Sequence, residues 1–414
     1  MTRVIHTGDT HIGYRQYHSP ERRADFLDAF ERVVADAVDT ADVDAVVHAG
    51  DLFHDRRPDL PDLLGVLSAL RTLDDADVPF LAVVGNHEST RGGQWLDLFE
   101  SMGLATRLDD EPTVIGDTAF YGLDHVPESQ RHKLDYEFAP YDADAAALVS
   151  HGLFEPFAYA DWDTEELLEQ STVEFDAVLL GDNHTPDTAR VAGTWVTYCG
   201  STERASASER DPRGYNLVRL GADVEAGDDA VDIRRRALET RPFVFLDVEL
   251  ADGEGLDRVR DRVRERDVAD AVVIVRIAGD GEPIAPAAVE EFAAERGALI
   301  ARVTDRREVE AETELSVSFA DPDEAVRERI GDLGLSEAAQ DVDDVVRGDL
   351  PDSNVREEVK RRIEDRPNGD DAADDVDEEA ATQERAATDG TTTSDDSDDA
   401  DLDDDEQLTL GGSQ

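Results

Sequence analysis

Five times before residue 190 the chain runs through a short apolar stretch and breaks it with a glycine and side chains able to hold a metal ion. Val4-Ile5 leads into His6-Thr7-Gly8-Asp9-Thr10-His11, Ala45-Val46-Val47 into His48-Ala49-Gly50-Asp51, and the run 79–84 into Gly85-Asn86-His87-Glu88. Leu148-Val149 leads into Ser150-His151-Gly152, and the run 177–180 into Gly181-Asp182-Asn183-His184. A strand ending this way sets its polar side chains in the crevice beyond the carboxyl edge of a sheet, where α/β proteins bind ligands. Alone, the third of these also reads as a capping turn, with Asn86 bonding its own backbone. Fivefold recurrence favours a shared site.

Between these runs lie helical patterns. Ser19-Pro20 is a good N-cap and first turn, followed by Phe26, Leu27, Phe30, Val33, Val34 and Ala37 at helical spacing. Leu63, Leu64, Leu67 and Leu70 mark a second amphipathic helix, and 94–102 a third. Alternating strands and helices predict a layered α/β domain over residues 1–238. Past Arg241-Pro242 a β-α-β-α-β run follows, with strands at 244–250, 272–277 and 299–303 and helices at 256–266 and 287–295. It carries no histidine and reads as an accessory domain, 239–318. Helix starts at Asp321-Pro322, Ser336 and Ser353 then mark a helical region, 319–366. Its last stripe, Val355, Val359 and Ile363, is either a docking face or a surface packed on the neighbouring domain. From 367 the chain is mostly Asp, Glu, Ala, Thr and Ser, too polar to offset ordering entropy, so a disordered acidic tail is expected. Gln407-Leu408-Thr409-Leu410 near its end reads as a short docking motif.

Acidic residues number 100 against 40 basic, a net charge of -60, which would normally repel nucleic acid. Lysine is almost absent and the acid is spread over the whole length, a pattern that fits salt adaptation instead. At about 1 M salt the Debye length falls to roughly 3 Å and the repulsion is muted. Cys199 is the only cysteine, so no intrachain disulfide can form, and a reducing interior is expected. With no 18-residue apolar run and no signal-peptide core, the reading is a soluble, cytoplasmic protein without a membrane partner.

Asp9, His11, Asp51, Asn86, His87, His151, Asp182 and His184 are the ligand-type residues at the strand ends. They include four of the ten histidines in the chain. Carboxylate, imidazole and amide oxygen together suit a hard or borderline divalent ion such as Mn²⁺. So many donors exceed one ion and fit two, about 3.5–4 Å apart, a pair that clamps a phosphate and stabilises attacking and leaving oxygens. The lack of thiolates argues against structural zinc, and no Walker loop or GxGxxG stands at a strand-to-helix turn.

Asp9-x-His11, Gly50-Asp51, Gly85-Asn86-His87, His151-Gly152 and Gly181-x-x-His184 resemble the five motifs of calcineurin-like metallophosphoesterases. Gly50-Asp51-Leu52-Phe53-His54 with Arg57-Pro58, and Tyr198-x-Gly200-Ser201-x-Glu203-Arg204, are similar to the DNA double-strand-break repair nucleases called Mre-eleven, or SbcD in bacteria. The resemblance implies a four-layer α/β/β/α sandwich, a smaller α+β DNA-capping domain at 239–318, and partner-ATPase binding at 319–366. It implies that Asp9, His11, Asp51 and His184 hold one Mn²⁺, and that Asp51 shares the second with Asn86, His151 and Asp182. His87 would face the scissile phosphate as the catalytic residue, Glu88 would accept the other N–H of His87, and His54 would position the DNA end. Asp182 departs from the family, which usually has histidine there, and adds negative charge at the second ion. The implied activity is 3′→5′ exonuclease on duplex ends and endonuclease on single strands. Implied partners are DNA ends, a second copy of the chain through the helices after Ser19 and Asp59, and the coiled-coil SMC-like ATPase Rad-fifty (SbcC in bacteria). Alternatives are a phosphoesterase for small nucleotides or phosphoproteins, and a non-catalytic scaffold with a degenerate site.

Overall fold

Apolar runs interrupted only at their ends imply strands covered on both faces, and that is how they are used. The computed structural model describes residues 1–307 apart from 41, 91, 222–230 and 306. The helical region at 319–366, the tail from 367 and the motif Gln407-Leu408-Thr409-Leu410 lie outside the described residues. One six-stranded sheet has the spatial order Val231–Ala237, Gly214–Leu220, Thr2–Thr7, Ala45–His48, Phe80–Ala82, Thr106–Arg107. A second runs Thr113–Ile115, Thr118–Leu123, Ala145–His151, Ala177–Gly181, Thr194–Tyr198, Asp187–Val191.

Because side chains alternate along a strand, each run feeds two cores. Ile5, Val46, Phe80 and Val84 turn toward α1 (Pro20–Asp39), α2 (Leu60–Asp75) and α3 (Trp95–Ser101), meeting Phe30, Val33, Leu70 and Phe99. Val4, Val47, Leu81 and Val83 turn the other way, between the sheets, against Phe120, Val149 and Leu179. Leu148, Val178 and Leu180 pack on the far side with Phe154, Trp162 and Leu167, the last from the helix Thr164–Gln170. The four layers are therefore α/β/β/α, as expected. Ser19 caps α1, its hydroxyl accepting from the Arg22 N–H at 3.2 Å. On α2, Leu70 is buried, but Leu64 is 55% exposed and Leu60 67%, so the amphipathic stripe is narrower than its leucines imply. The strand expected over 79–84 is regular only at Phe80–Ala82, the remainder peeling away toward the site.

Beyond Pro242, Phe243–Leu250, Val272–Gly279 and Ile300–Asp305 form a three-stranded parallel sheet crossed by the helices Leu256–Arg264 and Pro286–Glu295. Val248, Val259, Val263, Val275, Ile277 and Val289 close an aliphatic core of its own. Among the described residues no helix is long and apolar enough to cross a membrane.

Candidate metal centre

Thr2–Thr7, Ala45–His48 and Phe80–Ala82 are mutually parallel, as are Ala145–His151 and Ala177–Gly181, so all five motifs leave their strands at carboxyl ends. The two sheets bring these ends together. The turns are strained: Asp9, His11, Asp51 and Asp182 have φ of 49°, 44°, 57° and 91°. Left-handed non-glycine residues cost on the order of 1–3 kcal/mol each and cluster at functional sites. Two glycines make the convergence possible. A Cβ on Gly85 would overlap the Asp51 carboxylate, and one on Gly50, itself at φ +88°, would overlap the His151 ring.

The predicted ligands gather in two sets, beside a third group of His11, His54 and His87 at the mouth. Asp9, His11 and His184 offer ligand atoms within 4.8 Å of one another, and so do Asp9, Asp51 and His151. Asp51 Oδ2 lies between the sets, 3.8 Å from His11 Nε2 and 3.4 Å from His151 Nε2. Asn86 Oδ1 is 3.3 Å and Asp182 Oδ1 3.7 Å from that same His151 nitrogen. Asp182 also donates its backbone N–H to both oxygens of Asp9, at 2.9 and 3.1 Å.

Tautomers follow from the outer partners. His151 Nδ1 is 2.8 Å from the Ala49 carbonyl, which can only accept, so Nδ1 carries hydrogen and the neutral ring presents the Nε2 lone pair to the centre. His184 Nδ1 donates to Glu209 Oε1 at 2.9 Å with the same result, leaving its Nε2 3.0 Å from His11 Nε2. Two imidazole nitrogens facing at that distance among buried carboxylates fit a cation or a shared proton. The electrostatics agree. Burial pushes Asp9 up to about 6, against the pull of His184 and His151. Burial would also raise Asp51, but His151 and His11 hold it below its ordinary value. Burial would lower His184, yet the bond to Glu209 and the Asp9 charge lift it to about 9. The carboxylates draw positive charge into this pocket, and a divalent ion meets that demand.

His87 sits at the open edge, exposed, its backbone N–H donating to Asp51 Oδ1 at 2.9 Å and its ring centroid 4.8 Å from that of His11. One expectation fails here: Glu88 does not accept from His87. Glu88 is buried and turns inward, accepting the N–H of Gly85 at 3.2 Å and of Phe53 at 3.1 Å, and burial raises its carboxyl to about 7. Unpaired amides in two loops draw the carboxylate away from its neighbour in sequence. His87 Nδ1 donates instead to the His54 carbonyl at 2.9 Å, leaving Nε2 free at the mouth. The His54 ring stacks against Tyr14, centroids 4.0 Å apart, and stands 4.9 Å from the His87 ring. Neither Tyr14 nor Glu209 is flagged by a strand-end motif; Glu209 lies in a polar loop with no apolar run before it.

The calcineurin-like phosphoesterase family model matches residues 2–186. The DNA double-strand break repair protein Mre11 of Haloferax volcanii is 70% identical over 367 residues, which are 88% of this chain and 82% of the relative. That of Halobacterium salinarum is 61% identical over 380 residues, 91% of this chain and 97% of the relative. The Methanosarcina mazei protein of the same name is 43% identical over 375 residues, 87% of this chain and 59% of its own length. Identity at this level reaches well past the strand-end motifs, and the chain belongs to the Mre11 family of DNA double-strand break repair proteins, metal-dependent nucleases built on a calcineurin-like phosphoesterase domain.

Proposed function

We propose that this chain hydrolyses DNA phosphodiesters with two Mn²⁺ per subunit, as a 3′→5′ exonuclease on duplex ends and an endonuclease on single strands. The observation that carries the reading is the pair of donor sets that meet at Asp9, with the Asp51 carboxylate between them, beneath the exposed His87. Asp9, His11, Asp51 and His184 would hold one ion, and Asp51, Asn86, His151 and Asp182 the other. Bound there, the ions neutralise phosphate charge and activate water for attack. His87 contributes from the protein side. With Nδ1 tied to the His54 carbonyl, its Nε2 is aimed outward to hydrogen-bond the phosphate or protonate the leaving oxygen. His54, braced on Tyr14, would position the DNA end. Glu88 pins the 85–88 turn to the Phe53 backbone, so it supports His87 and Asn86 through the backbone.

On this reading residues 239–318 cap the DNA, 319–366 bind a coiled-coil SMC-like ATPase, and the chain works on chromosomal DNA in the cytoplasm. The helices after Ser19 and Asp59, α1 and α2, supply the surface for a homodimer, where Val38, Leu60 and Leu64 are exposed. The test is a labelled duplex with MnCl₂ in concentrated salt. Wild type should shorten it from the 3′ ends, while His87→Ala should cut about 10²–10⁴-fold more slowly with Mn²⁺ binding retained. An intact duplex in the presence of bound Mn²⁺, or a His87→Ala variant as fast as wild type, overturns the proposal.

A further inference from the structure

The loop 201–213 is held both by the accessory sheet and by a candidate metal ligand. On its inner side Glu209 receives the His184 Nδ1–H at 2.9 Å through Oε1. Its Oε2 accepts from the Ala205 N–H at 2.9 Å and from Arg213 Nη1 at 3.4 Å. Arg213, buried, also donates to the His184 carbonyl at 2.9 Å and to Ser201 Oγ at 3.2 Å, so ring and backbone of His184 are both held from this loop. On its outer side the neighbouring Arg210 makes a two-pronged contact with Asp247 of the strand Phe243–Leu250, at 2.8 and 2.7 Å, and lies over the Phe245 ring. Arg276, from the next strand, donates to the Ala207 carbonyl at 3.2 Å. Arg204 lies over Phe243 and donates through Nε to the Glu209 carbonyl at 3.0 Å.

We propose that Glu209 is the positioning residue of His184, and that the Arg210–Asp247 clamp makes its placement depend on the accessory three-stranded unit. Carboxylates that hold the outer nitrogen of a metal-binding histidine fix its tautomer and orientation, and their loss costs about 10–100-fold in metal affinity. Here that carboxylate stands one residue from the arginine gripped by Asp247. A shift of the accessory unit, of the kind bound DNA would impose on it, therefore pulls on the ligand to one ion and not on the set around His151, whose outer nitrogen is held by the Ala49 carbonyl.

The inference rests on His184 being a metal ligand, and the experiment separates the two ideas. Full-length protein in concentrated salt is titrated with MnCl₂ by calorimetry, and the exchange signature of the ion pair is followed by electron paramagnetic resonance. His184→Ala should lose one Mn²⁺ equivalent. Glu209→Ala should weaken that same equivalent about 10–100-fold, and Glu209→Gln, isosteric and still able to accept, only a few-fold. Asp247→Ala, on the accessory strand Phe243–Leu250, should weaken it about three- to tenfold on the same argument. Arg264→Ala, in an exposed pair with Asp261 on the accessory helix, should leave both equivalents alone. Glu209→Ala and Glu209→Gln titrating like wild type beside a defective His184→Ala overturns the positioning role, and an unaltered Asp247→Ala overturns the coupling. A His184→Ala protein that keeps both equivalents removes the ligand assignment on which everything here stands.

Discussion

The sandwich and the three-stranded unit bury opposite things. The unit after Pro242 closes on Val248, Val259, Val263, Val275, Ile277 and Val289, an aliphatic interior, with helix pairs such as Arg264–Asp261 exposed on its surface. The sandwich buries Asp9, His11, Asp51, His151 and Glu88 at its strand ends, and Arg22 with Glu203 behind them. An interior of branched aliphatics stabilises wherever it is placed. Buried carboxylates and left-handed aspartates are unfavourable until something completes them. The difference locates the work: the accessory unit is stable by its own packing, while the strand-end region is built around a cation and a phosphate that must come from outside.

The largest expected effect breaks the contrast at its centre. Asp51→Asn keeps the shape of the residue that lies between the two donor sets but removes its charge. Hydrolysis should fall about ten-thousandfold, roughly 5.4 kcal/mol in barrier. Thermal melts should lose the Mn²⁺-dependent stabilisation, worth about 2.7 kcal/mol at a hundredfold excess over Kd. A variant that still melts later with Mn²⁺ would remove Asp51 from the site. Next in size is Arg22→Ala. Arg22 is fully buried, 2.6 Å from Asp25 and 3.2 Å from Glu203, and also bonds Gln16 and the Arg204 carbonyl. Its loss strands Glu203 in the interior, Asp25 keeping Arg241, and should cost about 3–5 kcal/mol by denaturant titration. A cost below about 1 kcal/mol would mean that water enters freely. Ile277→Ala sharpens the other side of the comparison. It should destabilise by about 2–4 kcal/mol through the cavity it leaves, with Mn²⁺ binding unchanged.

Much of this was legible in the chain because burial on both faces writes itself as unbroken apolar runs. Val4-Ile5, Ala45-Val46-Val47 and the run 177–180 each send alternate residues to two cores, and each ends where its ligand begins. Strands with a polar face were harder to see. Val231–Ala237 carries Arg234, Arg235 and Arg236, and lies at the edge of its sheet, so no apolar run announces it. The partner of Glu88 is hidden from the sequence because adjacency in sequence is not adjacency in a turn, where consecutive side chains diverge and free amides compete for the carboxylate. Glu209 left no trace, since a carboxylate in a polar loop looks like any other in a chain with 100 acidic residues. Its meaning lies in a contact spanning 25 positions to His184.

The smallest expected effect tests whether the charge pairs of the accessory unit are as idle as the comparison requires. Arg262 and Glu265 form an exposed pair on and just past the helix Leu256–Arg264. Glu265 stays exposed and Arg262 is only partly covered, and salt screens the attraction between their charged ends. Arg262→Ala should therefore change stability by less than about 0.5 kcal/mol, and less again in concentrated salt. In a chain of net charge -60 the sign is informative. Removing a cation deepens the self-repulsion, so a small loss in dilute buffer that vanishes in salt marks a long-range charge effect. A loss of 2 kcal/mol or more that persists in concentrated salt would show instead that Arg262 packs its stem as Arg22 does, and the division between an apolar accessory interior and a polar strand-end interior would have to be redrawn at that helix.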